Sequence, residues 1–130
     1  MERQRWIFSG LVAGVITVLS LIPVPEVKEL EDVPFFDKWV HFIMYGGLTF
    51  AMWFDWWKFF GRWTMPSIRV ITCTFIIPTL WGGLMELAQN YLTTCRSGEW
   101  LDFYADTFGA FLATILSFSL WKIVKTSDQK

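Results

Sequence analysis

The sequence predicts an all-α protein, a four-helix transmembrane bundle with both termini in the cytoplasm. Three observations predict it. First, 54% of the 130 residues are apolar and nine are Trp, more than one domain of this size can hide in its own interior. Second, the apolar residues fall in four runs, roughly residues 6–23, 38–57, 68–92 and 101–123. Each is near the ~20 residues needed to cross ~30 Å of hydrocarbon. Third, the runs are continuous rather than alternating, which suits helices and not β spans. The whole chain, 1–130, reads as one integral membrane domain.

The first run follows Arg3 and Arg5 and ends at Pro23-Val24-Pro25. A basic start before an apolar stretch also describes a secretory signal. No pair of small residues suited to cleavage follows, so the run is expected to stay as helix one. Pro23 ends it, and Gly10 with Gly14 offers a small-residue face for close helix contact. An acidic connection follows, with Glu26, Glu29, Glu31 and Asp32 against Lys28.

The second run opens with Asp37-Lys38 and closes in an aromatic cluster, Trp53, Phe54, Trp56, Trp57, Phe59 and Phe60. Such clusters suit the headgroup layer, where rings are half wet. Lys58, Arg62 and Arg69 mark a basic loop broken by Pro66. The third run carries Pro78, which is expected to kink it as membrane helices tolerate. Gly46-Gly47 and Gly82-Gly83 read as packing points. The third run ends with Glu86, Gln89 and Asn90, and the fourth begins with Asp102 and Asp106. Gly109, Ala110 and Ala113 then form a smooth face on the fourth.

Lys and Arg set the orientation. Arg3, Arg5, Lys58, Arg62, Arg69, Lys122, Lys125 and Lys130 lie at the termini and the middle loop, against Lys28, Lys38 and Arg96 elsewhere. The positive-inside rule then places both termini in the cytoplasm. Cys73 and Cys95 would stand about 33 Å apart along a helix, so no disulfide joins them. Neither has metal-ligand spacing with His41, and no metal or cofactor is expected. The basic residues line a membrane boundary, where they attract anionic lipid, so nucleic-acid binding is excluded.

With this topology, three helices bring ionisable groups to one layer near the outer surface. Asp37, Lys38, His41 and Tyr45 come from helix two, Glu86 and Gln89 from helix three, and Asp102 and Asp106 from helix four. Arg96 lies in the loop between the last two. Lys38, His41 and Tyr45 share a helical face by their spacing. A charge within a span costs about 2.5–3.5 kcal/mol to insert, so these groups are expected to face one another or a cavity. Glu86, Asp102 and Asp106 have Lys38, Arg96 and protonated His41 as candidate partners.

These residues carry a resemblance to the VanZ-like family of small bacterial membrane proteins. Its pieces are Ser20-Leu21-Ile22-Pro23, Asp37-Lys38-Trp39-Val40-His41-Phe42 with Tyr45 and Leu48, Glu86-Leu87-Ala88-Gln89, Arg96-Ser97-Gly98-Glu99-Trp100-Leu101-Asp102 and Ala105-Asp106-Thr107-Phe108-Gly109-Ala110. Together they cover about residues 20 to 113. The chain departs from the family at Asp106, where Asn is usual. An amide donates and accepts hydrogen bonds, whereas an ionised carboxylate only accepts, so this position calls for a proton or a close cation. The resemblance implies a cell-envelope protein, with a founding example tied to resistance against the glycopeptide antibiotic teicoplanin.

Several function classes follow. The leading one is a binding or accessory role at the outer leaflet, with membrane lipids as surroundings and a lipid-linked cell-wall precursor or glycopeptide antibiotic as ligand. Asp37, Lys38, His41, Tyr45, Glu86, Gln89, Arg96, Asp102 and Asp106 would line the site, with Lys38 and Arg96 meeting phosphate or carboxylate. The alternative is an intramembrane enzyme with His41 as acid/base and Glu86 or Asp102 as its partner. No nucleophile motif accompanies it. Proton-coupled transport needs a polar path through the whole span, and the inner halves offer little besides Asp55. A purely structural role would rest on interhelical hydrogen bonds of ~0.6 kcal/mol each, a small return for such charges.

Overall fold

Four α-helices and no strand form among residues 6–23, 32–61, 64–94 and 97–128, the parts of the chain that the computed structural model describes. They are α1 (Ile7–Leu21), α2 (Phe36–Phe60), α3 (Ile68–Leu92) and α4 (Trp100–Ser127). Each stops where its sequence stops it. Ile22 turns extended (φ −85°, ψ 149°), as a residue before proline prefers. Gly61 closes α2 at φ 79°, a conformation that only glycine adopts without strain. Ser67 caps α3 by accepting from the Val70 amide at 3.3 Å. At the far end of α4, Lys122 and Lys125 lie over the rings of Phe118 and Trp121, 4.9 and 5.1 Å from their centres. These cation–π contacts help carry the helix to Ser127, past the expected end at 123.

Helix α2 is the hub. It packs most extensively against α4, because α4 presents almost no side chain at the crossing. A Cβ at Gly109 would overlap the Phe42 carbonyl oxygen, and one at Gly46 would stand 3.4 Å from the Gly109 carbonyl oxygen. Ala110 and Ala113 continue this smooth seam and are buried. The expected glycine contact on α1 does not form, since a Cβ at Gly10 or Gly14 would meet nothing within 4 Å. The inward face of α1 is instead Ser9, Ile16 and Ser20. That places the two glycines on other faces of the helix.

Polarity is partitioned unlike that of a water-soluble domain: polar and ionisable side chains are buried beside the apolar core, and many large apolar side chains lie outside. The buried side chains include Ser9, Ser20, His41, Thr49, Asp55, Thr74, Glu86, Gln89, Asp102 and Asp106. Leu11, Ile43, Ile68, Leu80, Leu87, Phe108 and Ile123 are exposed. Thr17, Thr74, Thr79, Thr107 and Thr114 each fold their hydroxyl back onto the carbonyl four residues earlier, at 2.8 to 3.0 Å, which satisfies it within its own helix. Helices α3 and α4 are long and apolar enough to cross a membrane. Helix α1 has 15 residues, and α2 carries Asp37, Lys38, His41, Asp55 and Lys58 along its length.

The aromatic cluster at the end of α2 departs from expectation. Phe54, Phe59 and Phe60 are exposed, but Trp53 and Trp56 are buried. Their three-residue spacing puts both on the inward face with Thr49 and Met52, so they act as core. A cavity of about 790 Å³ opens beside them, lined by Ala13, Leu48, Met52, Trp56 and Trp81 among others, and none of the described residues around it is acidic.

Candidate functional site

The polar residues of three helices meet at one end of the bundle, where α2 begins, α3 ends and α4 begins. Lys38 and His41 lie one turn apart on the inward face of α2. The Lys38 ammonium is enclosed by carboxylates. It pairs with Asp37 beside it, with Glu99 Oε2 at 2.6 Å and with Asp102 Oδ1 at 2.7 Å. Three acids therefore share one cation, and Lys38 is not a free hand for an incoming anion.

His41 sits deeper, buried between the helices. Its Nδ1 lies 2.9 Å from Asp106 Oδ1 and 3.7 Å from Glu86 Oε1. Its Nε2 faces the opposite way, 3.8 Å from Asp102 Oδ2. Asp102 thus stands between Lys38 and His41 with one oxygen toward each. One turn further along α2, the Tyr45 ring lies nearly parallel to the imidazole (12°), with ring centres 6.4 Å apart.

The chain reaches this arrangement through the short connection from α3 to α4. Glu86 Oε2 accepts from the Glu99 amide at 2.7 Å, and Asn90 Oδ1 accepts from the Gly98 amide at 2.8 Å. Both bonds meet N–H groups just ahead of α4, where helix geometry leaves donors unpaired and the dipole favours negative charge. Gly98 lies so close that a Cβ would overlap the Glu86 carbonyl oxygen. Asp106 needs similar room. A Cβ at Gly82 would stand 2.6 Å from its Oδ2, so α3 receives this carboxylate only because it carries glycine there.

Of the expected site residues, Asp37, Lys38, His41, Tyr45, Glu86, Asp102 and Asp106 gather here. Arg96 lies outside the described residues. Gln89 serves a different contact, its amide donating to the Ser20 carbonyl at 3.0 Å and tying α3 to the last turn of α1. Glu99 is the residue that the sequence reading left out of the site. Its position immediately before the fourth run, three residues ahead of Asp102 and at the N-cap of α4, was the signal for it.

Two groups of three could hold a cation. One oxygen each from Asp37, Glu99 and Asp102 lie within 4.8 Å of one another, but the Lys38 ammonium already sits among them. One donor atom each from His41, Glu86 and Asp106, all buried, lie within the same distance. Cys73, on α3, is a free thiol away from both groups. Comparison with known proteins finds no relative: no family model, no curated protein and no solved structure matches the chain.

Proposed function

We propose that the chain is a polytopic membrane protein of the cell envelope, with four spans and both termini cytoplasmic. At its outer end, a recess binds the polar part of a membrane-embedded ligand. The many large apolar side chains on the outside of the bundle support the membrane setting, because apolar surface this extensive is rare on a water-soluble monomer. The distribution of Lys and Arg supports the orientation. The resemblance of the ordered motif set to the VanZ-like family is what suggests the envelope setting and a ligand drawn from lipid-linked cell-wall precursors or glycopeptide antibiotics.

One observation carries the binding reading. Glu86, Asp102 and Asp106, from two helices, all stand within 4 Å of the His41 imidazole of a third. Charges converge this way inside a bundle only at an energetic cost, and among the described residues Lys38 is the only lysine or arginine paired with them. The acid excess sets the chemistry of the ligand. The group that enters the recess carries positive charge, and a phosphate is not drawn in by Lys38, which three carboxylates already neutralise.

The test is binding by the full chain in lipid nanodiscs. An amine-bearing lipid-linked cell-wall precursor is expected to bind, and Glu86→Gln to weaken it at least tenfold. Equal affinity of the two proteins would refute the reading. A second reading, acid/base catalysis, is favoured by the 2.9 Å contact between His41 and Asp106, since a carboxylate on one ring nitrogen orients the imidazole and raises its basicity. Turnover of the bound precursor, lost in His41→Gln, would establish it.

A further inference from the structure

The two carboxylate groups at this end of the bundle differ in one respect. The group at the surface, Asp37, Glu99 and Asp102, is organised around a cation that the chain itself supplies, the Lys38 ammonium. The deeper group, His41, Glu86 and Asp106, is more buried and has no lysine or arginine paired with it among the described residues.

We propose that the deeper group is a divalent metal site, with His41 Nδ1, Glu86 Oε1 and Asp106 Oδ1 as the protein ligands. The inference rests on the acid excess of the recess proposed above, for whose carboxylates a metal ion and the amine of a ligand would compete. Three independent features support it. Glu86 is more than nine-tenths buried, and its Oε1, on the side facing His41, has no hydrogen-bond partner. Its other oxygen is already held by the Glu99 amide, so Oε1 is the one left for a ligand.

The spacing is the second feature. Ligand atoms bonded to a first-row dication at about 2.0–2.2 Å stand roughly 3–3.5 Å from one another. Nδ1 lies 2.9 Å from the Asp106 oxygen and 3.7 Å from the Glu86 oxygen, which brackets that value. An ammonium bonded at about 2.8 Å would hold its acceptors further apart.

The third feature is the far side of the ring. A metal-bound histidine commonly directs its other nitrogen to a carboxylate, which fixes the tautomer and raises ligand basicity. Asp102 Oδ2 lies on that side of the ring, 3.8 Å from Nε2 and so close enough for charge but not for a direct hydrogen bond, and Lys38 holds Asp102 there. The donors select the ion: one imidazole nitrogen with two carboxylates suits Zn²⁺ or Mn²⁺ better than Mg²⁺, which prefers an all-oxygen shell. Two carboxylates and a neutral imidazole bring charge −2, which one dication cancels. The three protein ligands come from three helices, so the ion would also tie α2, α3 and α4 together.

The experiment uses the full chain, purified in detergent and stripped with a chelator. Titration with Zn²⁺ or Mn²⁺ is expected to show one equivalent bound and a raised melting temperature. Glu86→Gln and His41→Ala are each expected to lose at least tenfold in affinity, while Cys73→Ser, which removes an exposed thiol away from the site, binds as wild type does. Wild type that takes up no stoichiometric ion overturns the metal site, as does Glu86→Gln binding it equally well. The amine-bearing lipid separates the two proposals. Metal-free protein that refuses the ions but still binds this lipid loses the metal site and keeps the recess, and protein that binds neither loses both.

Discussion

Asp55 and Asp106 are the same residue type, both buried, at 4% and 0% exposure, and they lie toward opposite ends of the bundle. Asp55 Oδ2 accepts from the Ser9 amide and the Ser9 hydroxyl, each at 2.8 Å. Ser9 lies in the first turn of α1, whose N-cap residue Trp6 provides no side-chain cap. A carboxylate from α2 therefore caps α1 from outside it, where free N–H groups and the helix dipole both favour an anion. Asp106 is placed otherwise. One oxygen meets the His41 imidazole and the other rests against Gly82 without a hydrogen bond. Burial of a carboxylate alone does not mark a functional site. The nature of its partners does: fixed backbone donors make an anchor, while titratable neighbours make a site that can exchange protons or take a cation.

The contrast can be broken experimentally, beginning with the largest expected loss of stability. Asp55→Ala removes two hydrogen bonds to a charged group and leaves the Ser9 donors buried, so it should cost about 3 kcal/mol. Ligand and metal binding at the other end should stay unchanged. Denaturant unfolding in detergent, run beside a binding assay, would show both, and lost binding in a folded Asp55→Ala protein would undo the separation of roles. Gly82→Ala forces a methyl against Asp106 and should cost about 2 kcal/mol while also weakening binding. Wild-type binding there would mean that the position of Asp106 is unimportant.

Gln89→Ala removes the strut from α3 to the Ser20 carbonyl and should cost about 1 kcal/mol, again without affecting the site. Asp106→Asn, at the most buried acid among the described residues, should change stability by less than about 1 kcal/mol, because an amide can still bond His41 and carries no buried charge. Metal affinity should fall at least tenfold. A stability loss comparable to that of Asp55→Ala would place Asp106 among the anchors.

Much of this was readable in the residues themselves. Continuous apolar runs located all four helices, and Pro23 and Pro66 marked where the first stops and the third begins. Chain order with alternating helix direction was enough to bring His41, Glu86, Asp102 and Asp106 to one layer, since depth along a helix follows from counting residues at 1.5 Å each. Glu99 escaped because it precedes the apolar run, and the pairing of Asp55 with Ser9 escaped because the two are 46 positions apart. The glycines on α1 were misread for a related reason: spacing shows which residues share a face but not which face turns inward.

What the sequence determined by itself was the helical class, the four segments and the position along its helix of each described polar residue, because hydrophobic run length and rise per residue are local properties. Helix rotation and crossing distance were decided only by the tertiary structure. Those depend on side chains meeting across the bundle, such as Gly109 on the Phe42 carbonyl and Gly82 on Asp106, and no single helix contains that information. The tertiary structure also settled that Lys38 is occupied by three acids while His41, Glu86 and Asp106 are left without a lysine or arginine among the described residues.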